Sequence, residues 1–265
     1  MIRPIFSLTM AVGLLLLPQI VYASGTFSCS SPCVNGDAQI GNGFVISDTI
    51  TIASAVAGRP ILVATRGGVH STTTSIVNDG GPGTLTWTQL RSNLASDWVH
   101  TVHCAMIPTS GTYTFHSTSN TSGGTPSVRS IALQYNTGTC TGAQVNSATS
   151  NSGTSLSSGN VTTTSTSIIF STVASDSDID TAQGGTARVL TGGTTRDPDC
   201  SNPVGVEPDQ KLCAGDRGVL TTGTYTAQWT VGSDIWSTII VALPQGGVAD
   251  IPPGPPTPPQ NIRVQ

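Results

Sequence analysis

The sequence predicts an all-β protein, an antiparallel β-sandwich of jelly-roll-like arrangement with about nine or ten strands. Apolar and polar residues alternate with period two in many segments, each bounded by Gly, Asn, Asp or Pro. Beyond the N-terminal segment, no stretch has apolar residues at helical spacing. Hydrophobic residues form 37% of the 265 residues, which is enough for a core, so most of the chain is expected to fold.

The predicted strands follow one another at short intervals. In RSIALQY, Ile131, Leu133 and Tyr135 share one face, as the apolar side of a strand should. The last strand is apolar on both faces, which predicts a central or covered position. In chain order the strands are DTITIA, RPILVATRGG, TLTWTQLR, DWVHTVHCAMIP, GTYTFHST, VRSIALQYNT, VTTTSTSIIFSTVAS, ARVLT, GTYTAQWTV and WSTIIVALP. Three segments are expected to be long loops: STTTSIVNDGGPG, CTGAQVNSATSNSGTSLSSGN and TTRDPDCSNPVGVEPDQKLCAGD.

The chain carries few charges, and they are dispersed. Charged residues form only 9% of it, against roughly 25% in ordinary soluble domains. Lys and Arg number 10 against 14 Asp and Glu, for a net charge of -4. A nucleic-acid surface needs clustered basic residues, and so does attachment to an anionic membrane. Neither is therefore an expected partner.

Residues 1–23 are expected to be a secretory signal peptide. Arg3 supplies the positive end, an apolar stretch begins at Ile5, and Val21 and Ala23 are the small residues that precede a cleavage site. A retained membrane anchor is the alternative, but the apolar run is shorter than the ~20 residues that span a bilayer. We therefore expect a secreted protein, extracellular or at the cell surface, with the periplasm as a further option and no membrane insertion after cleavage.

Six cysteines predict disulfide bonds, because an exported chain meets an oxidising compartment. Two cysteines lie close together near the N-terminus, and another two bracket a polar loop that contains prolines, which leaves one pair. A zinc site is the alternative, but no C-x-x-C pair occurs. The expected pairs are Cys29 with Cys33, Cys104 with Cys140, and Cys200 with Cys213.

One domain is expected from residue 24 to residue 245. Residues 246–260 form a Pro-rich linker, with six prolines between Pro252 and Pro259, and such composition predicts a stiff, extended spacer. Residues 261–265, NIRVQ, then alternate like the first strand of a further domain.

The closing segment GTYTAQWTVGSDIWSTIIVALP, preceded by SIALQYNTGT and STTTSIVNDGG, resembles a poorly characterised group of bacterial secreted β-sandwich modules. Such modules often lie beside fibronectin type III repeats, and PPTPPQNIRVQ looks like the truncated start of one. The resemblance covers residues 40–245. It implies a β-sandwich in a modular surface protein, and it implies no catalytic or binding residues.

An Asp-rich segment, ASDSDIDT, is a candidate calcium site. Asp176, Asp178 and Asp180 recur at period two, so in an extended segment they point the same way, about 7 Å apart. In a curved loop they could converge on a calcium ion, which prefers oxygen ligands. A solvated polar loop is the alternative, because Thr181 and Ala187 occupy the positions where an EF-hand needs Gly and Glu.

Paired carboxylates also suggest an alternative function, since glycosidases use one as acid and one as base or nucleophile. A secreted glycan hydrolase of this kind would draw on Asp176, Asp178, Asp180, Glu207 and Asp209. No G-x-S-x-G elbow and no Gly-rich phosphate loop followed by Lys occurs in the sequence. A catalytic site is therefore not the expectation.

Trp87 and Trp98 are the candidate ligand-binding residues, because exposed aromatic rings stack on sugars and the patterns around these two do not assign them to a core. Trp229 and Trp236, in contrast, are expected in the core. The expected function is a non-catalytic secreted or cell-surface module for binding or display, directed at polysaccharide or another surface polymer. A structural spacer or filament subunit without a ligand is the remaining alternative.

Overall fold

A computed structural model of the chain describes residues 34–35, 47–68, 70–121, 128–135, 138–175, 189–190, 199–201, 211–219, 222–230 and 235–245. These residues confirm the predicted all-β class. They contain antiparallel strands and no helix.

The described residues form sixteen strands, three of which have only two or three residues. The prediction of nine or ten strands is therefore wrong. In chain order the strands are β1 (Val34–Asn35), β2 (Ser47–Ala55), β3 (Pro60–Gly67), β4 (Ser71–Gly80), β5 (Thr88–Ala95), β6 (Trp98–Met106), β7 (Gly111–Thr121), β8 (Val128–Gln134), β9 (Gln144–Ser150), β10 (Ser155–Thr163), β11 (Ser167–Ser175), β12 (Val189–Leu190), β13 (Asp199–Ser201), β14 (Lys211–Val219), β15 (Gly223–Thr230) and β16 (Trp236–Pro244).

Strands β4, β9, β13 and most of β10 and β14 lie inside segments that the sequence predicts as loops. Strand β14 has no Ser or Thr, whereas β4, β9 and β10 are rich in hydroxyl residues. Ser and Thr on both faces of a strand hide the alternation of hydropathy that identifies it. Thr is nevertheless a good strand former, because its branched side chain fits a pleated surface.

The strands form four sheets, two to each half of the chain. The first inner sheet has the order β1-β8-β3-β6-β5, and the first outer sheet the order β2-β7-β4. The second inner sheet has the order β9-β16-β11-β14-β13, and the second outer sheet the order β10-β15-β12. The inner sheets are named for their burial, since every residue of β3, β8 and β11 is buried.

Three clusters of apolar side chains form the core. One combines the first outer and first inner sheets and includes Phe115 and Val63. Another combines the two inner sheets and includes Leu62 and Phe170. The third combines the second inner and outer sheets and includes Trp229. Because the neighbours Leu62 and Val63 belong to different clusters, the inner sheet carries apolar side chains on both faces.

The two halves of the chain repeat one topology. Adding eight to each strand number of the first inner sheet gives the second inner sheet, and the same step converts the first outer sheet into the second. A tetrapeptide marks the repeat, since GTYT begins β7 at Gly111 and β15 at Gly223. The fold is therefore an internal duplication of an eight-stranded unit.

Backbone hydrogen bonds fix how the two halves correspond. Tyr135 N donates to Pro60 O at 3.0 Å in the first half, and Gln245 N donates to Thr166 O at 2.8 Å in the second. Each bond joins the end of the eighth strand of a half to the start of the third. With Pro60 matched to Thr166, Arg66 of β3 corresponds to Thr172 of β11.

The contacts between the inner sheets are reciprocal. Strand β8 contacts β14, and the corresponding pair β16 and β6 is also in contact. Likewise β8 contacts β13 while β16 contacts β5, and β5 contacts β9 while β13 contacts β1. Reciprocity of this kind defines an interface with two-fold symmetry. The protein thus has the contact pattern of a symmetric dimer within one chain.

Candidate functional site

Trp87 is fixed at the edge of the first outer sheet by two contacts. Its Nε1 donates to Asn78 Oδ1 at 2.9 Å, and its ring meets Phe115 edge-on, with centroids 5.0 Å apart. Asn78 is itself held, because its Nδ2 donates to Leu85 O at 2.7 Å. The indole packs on the first-half cluster but is only partly buried. A fixed, partly exposed ring is suited to stacking on a flat ligand, since little side-chain entropy is lost on binding.

A histidine–carboxylate pair lies on the same outer sheet. His116 Nδ1 is 2.7 Å from Asp79 Oδ1 and 2.8 Å from Oδ2, and the two side chains are 23% and 34% exposed. A carboxylate at Nδ1 fixes the orientation of an imidazole ring. Strand register places Val77, which is 42% exposed, beside His116. The pair therefore adds an oriented hydrogen-bonding group to the solvent-facing side of this sheet. The two residues that hold Trp87 precede Asp79 and His116 in sequence and point to the opposite side, so Trp87 lies at the sheet edge and not on the same face as the pair.

Hydroxyl groups form rungs across both outer sheets. On the first, Thr51 and Thr114 hydroxyls are 3.2 Å apart. On the second, Ser157 and Thr226 are 3.1 Å apart. These bonds join neighbouring strands, so they hold the hydroxyls in place.

Trp98, the other tryptophan predicted to contact ligand, is fully buried. It belongs to the cluster between the inner sheets, and the Arg66 guanidinium lies 4.4 Å from the centroid of its ring. Such a cation–π contact suits a desolvated site. A ring without exposed surface cannot stack on a sugar, so the prediction of Trp98 as a ligand contact is wrong. Trp229 and Trp236 are buried, as predicted.

A buried polar chain crosses the interface between the inner sheets at His100. Its Nε2 is 3.3 Å from Thr172 Oγ1, and that hydroxyl donates to Cys213 O at 2.8 Å. Because a hydroxyl has one proton, Nε2 must be the donor to Thr172. Neutral Nδ1 then accepts from Ser237 Oγ at 3.0 Å, and Ser237 in turn accepts from Asn93 Nδ2 at 3.0 Å.

Two buried histidines are held in their neutral forms. Burial and, to a smaller extent, the nearby Arg66 guanidinium together lower the pKa of His100 from 6.5 to about 3. Burial also lowers the pKa of His103 to about 4. The charged form of each ring would lose its hydration inside the protein. The His100 ring is hydrogen-bonded across the interface between the inner sheets.

The cysteine pairs are described in part. Cys104 and Cys140 form a disulfide, as expected, with Cα atoms 5.8 Å apart. It ties β6 to the segment that joins the two halves. Cys213 is also disulfide-bonded, and strand register places Cys200 directly opposite it. Cys29 and Cys33 lie outside the described residues.

Several predictions cannot be located in the structure. The predicted signal peptide, linker and final strand lie outside the described residues, as do Glu207 and Asp209 and the candidate calcium ligands Asp176, Asp178 and Asp180. Within the described ranges, no three His, Cys, Asp or Glu side chains are placed to hold a metal ion. In the same ranges no helix has the length and apolar character to cross a membrane. Calcium binding stays a prediction.

Comparison with models of known protein families, with curated proteins and with solved structures finds no match to this chain. The chemistry of the described surface is therefore the basis for a function.

Sequence reasoning missed the contacts of Asn78, Asp79 and His116. Asp79 and His116 are 37 residues apart and meet only because β4 and β7 pair. The segment that carries Asn78 and Asp79 was expected to be a loop. A strand prediction there would have been the first requirement for bringing His116 near them, since these residues meet through the pairing of two strands.

Proposed function

We propose that this protein is a non-catalytic, exported or cell-surface module that binds polysaccharide through the edge of the first outer sheet. The observation that carries the proposal is the Trp87 ring, held by Asn78 and Phe115 yet partly exposed. Polysaccharide sites combine aromatic rings with hydrogen-bonding groups, because sugars have apolar ring faces and hydroxyl rims. The His116–Asp79 pair and the Thr51–Thr114 rung provide such groups on the same sheet.

Two features typical of exported proteins support the proposed function. Residues 1–23 have the pattern of a signal peptide, and the disulfide bonds suit an oxidising compartment. The low content of charged residues suits an uncharged ligand, since few ionic groups are present to attract charged molecules. A fibronectin type III domain after the proline linker, and calcium at Asp176, Asp178 and Asp180, belong to the same proposal. An unchanged melting temperature with calcium and then with chelator would remove the calcium part.

We infer that each half is a two-sheet sandwich with jelly-roll strand order. In each half, consecutive strands alternate between the two sheets except strands 5 and 6, which pair within the inner sheet; the orders are 1-8-3-6-5 and 2-7-4 counted within the half. A jelly roll distributes its eight strands in nearly this way. Such frameworks hold loops and sheet faces rigidly, which favours binding by preformed surfaces.

Binding to dextran, mannan and galactan, each immobilised on beads, tests the function. Trp87→Ala should weaken binding to the recognised polymer at least about tenfold, which corresponds to roughly 1.4 kcal/mol. Asn78→Ala should weaken it less, because the ring remains but is no longer held. Leu94→Ala is the matched control, since Leu94 is 55% exposed but lies on β5, away from the outer sheet. Equal effects of Trp87→Ala and Leu94→Ala would refute the site.

The other functions give different results in the same assay. Uniform absence of binding across a wider glycan array would favour a spacer or filament subunit. Release of soluble sugar over time that depends on Glu207, measured with Glu207→Gln, would favour a hydrolase. Melting temperatures of all variants are needed, because Trp87 packs on the core.

A further inference from the structure

We propose that the two outer sheets are duplicated polysaccharide contact faces on opposite sides of the protein, so that one molecule bridges two polymer chains. This inference rests on the proposed function. The two faces are formed by corresponding strands of the two halves. The first face is formed by exposed side chains of β2, β4 and β7, and the second by those of β10 and β15.

The hydroxyl rungs share one corresponding residue in the two halves, while the other residue of each rung differs. Thr51 corresponds to Asn160, but the second rung is formed by Ser157. GTYT begins β7 and β15, so Thr114 corresponds to Thr226. Thr114 lies opposite Thr51 of β2, and Thr226 lies opposite Asn160 of β10. Register irregularities fall in both partner strands, β2 and β10, beside these rungs. The two halves thus keep a polar rung at the matched position of β7 and β15, although most of their sequence differs.

The second face carries no charge among its described side chains. Its side chains that point away from the second-half cluster are those of Ser155, Ser157, Asn160, Thr162, Thr224, Thr226 and Gln228, all exposed or partly exposed. Tyr225 is also partly exposed, but it packs on the cluster. Hydroxyl and amide groups alone suit neither a polyanion nor a polycation, and these described outward-facing residues of β10 and β15 offer a protein partner no apolar side chain to bury. Hydroxyls that both donate and accept match an uncharged polyhydroxyl polymer. This charge match selects polysaccharide as the occupant.

The two faces point away from each other. In β3, Val63 belongs to the cluster with the first outer sheet and Leu62 to the cluster between the inner sheets. In β11, Phe170 belongs to that inner cluster and Ile169 to the cluster with the second outer sheet. Successive side chains of a strand point to opposite faces. The outer sheets therefore lie on opposite sides of the paired inner sheets.

The faces are expected to differ in strength. Trp87 adds an aromatic contact beside the first face, whereas the described residues of β10 and β15 expose no tryptophan, since Trp229 is buried. The first face should therefore set the affinity. The second should act mainly when another polymer chain is presented to a protein that is already bound.

Bead clustering separates bridging from binding. Beads coated with dextran, mannan or galactan are mixed with the whole protein, and bound protein and light scattering are both measured. Thr51→Val with Thr114→Val alters the first face, and Thr162→Val with Thr224→Val the second. Val has nearly the shape of Thr, and these positions are exposed or partly exposed, so folding should be retained. A variant with all four changes completes the set.

The second-face variant should keep the affinity of the unaltered protein but need at least about tenfold more protein to cluster beads. The first-face variant should lose both affinity and clustering, and the four-site variant should bind least. Clustering by the second-face variant equal to that of the unaltered protein would overturn the inference. Binding without clustering by the unaltered protein would overturn bridging and leave the proposed function in place. Absence of binding would overturn both.

Discussion

Acidification should destabilise the protein at its buried histidines, and His100 provides the sharpest test. The folded protein lowers the pKa of His100 from 6.5 to about 3 and that of His103 from 6.5 to about 4. The unfolded chain therefore binds these protons more tightly than the folded protein does. As the pH falls below about 6.5, proton uptake favours the unfolded chain, and the loss of stability grows until the folded pKa is reached.

The size of the effect follows from the two pKa values. One group shifted across this range changes the free energy of unfolding by about 1.4 kcal/mol per pH unit. Between pH 7 and pH 5, each histidine should therefore remove about 2 kcal/mol, and the two together about 4 kcal/mol. Such a loss is large compared with the free energy of unfolding of a typical domain, which is about 5–15 kcal/mol.

Urea unfolding of the unaltered protein and of His100→Gln at pH 7 and pH 5 measures the effect. Gln is neutral at both pH values and has an amide that can hydrogen-bond to Thr172 or Ser237. The variant should be less stable at pH 7 but should lose about 2 kcal/mol less between the two pH values. The carboxylates titrate in both the unaltered protein and the variant, so their contribution cancels when the two losses of stability are subtracted. An identical pH dependence would refute the buried, neutral assignment of His100; His103→Gln repeats the test if the first variant is too unstable.

Two further predictions concern the framework. Replacing Cys104 and Cys140 by Ala removes a bond between residues 36 apart, which should cost about 4 kcal/mol on the loop-entropy estimate; denaturant unfolding measures it, and an unchanged midpoint would contradict it. Gly81→Ala should destabilise by about 1–3 kcal/mol, because φ there is +152° and an added Cβ meets the ring of Tyr113. Gly80→Ala is its control, since open space surrounds that position, and equal melting temperatures for both variants would count against the argument.

The sequence predicted the fold class and the cores better than the number of strands. Apolar alternation placed Ile131, Leu133 and Tyr135 on one face, and they do share the cluster between the inner sheets. It failed for β4, where Ser and Thr occupy buried and exposed positions alike. Ser71 and Thr74 are buried and hydrogen-bonded to side chains of neighbouring strands. Hydropathy does not distinguish such a hydroxyl from one that faces water.

The duplication also left a signal that alternation does not reveal. GTYT occurs at Gly111 and again at Gly223. A repeat of four residues does not indicate a duplication by itself, and it does so here because both copies begin corresponding strands. The candidate site depended on pairing in the same way. Trp87 was predicted as a ligand contact from its polar neighbours, yet its anchor Asn78 lies in a segment predicted to be a loop. Trp98 begins a strand and is buried in the cluster between the inner sheets, where Arg66 of another strand lies against its ring.

Joining two similar halves in one chain has a physical consequence at their interface. In a dimer of identical chains, side chains near the symmetry axis meet their own copies, so large charged groups would face one another. Here Arg66 and His100 of the first half correspond to Thr172 and Ala214 of the second, by the matched backbone bonds and strand register. His100 can therefore hydrogen-bond to small hydroxyls across the interface. The outer faces have no such constraint, and there the corresponding Thr114 and Thr226 are the same residue type. The halves thus differ at these positions where they pack on each other, whereas on the outer faces Thr114 and Thr226 are identical and their strand partners Thr51 and Asn160 are both polar, which is the pattern expected if the outer faces share one kind of ligand.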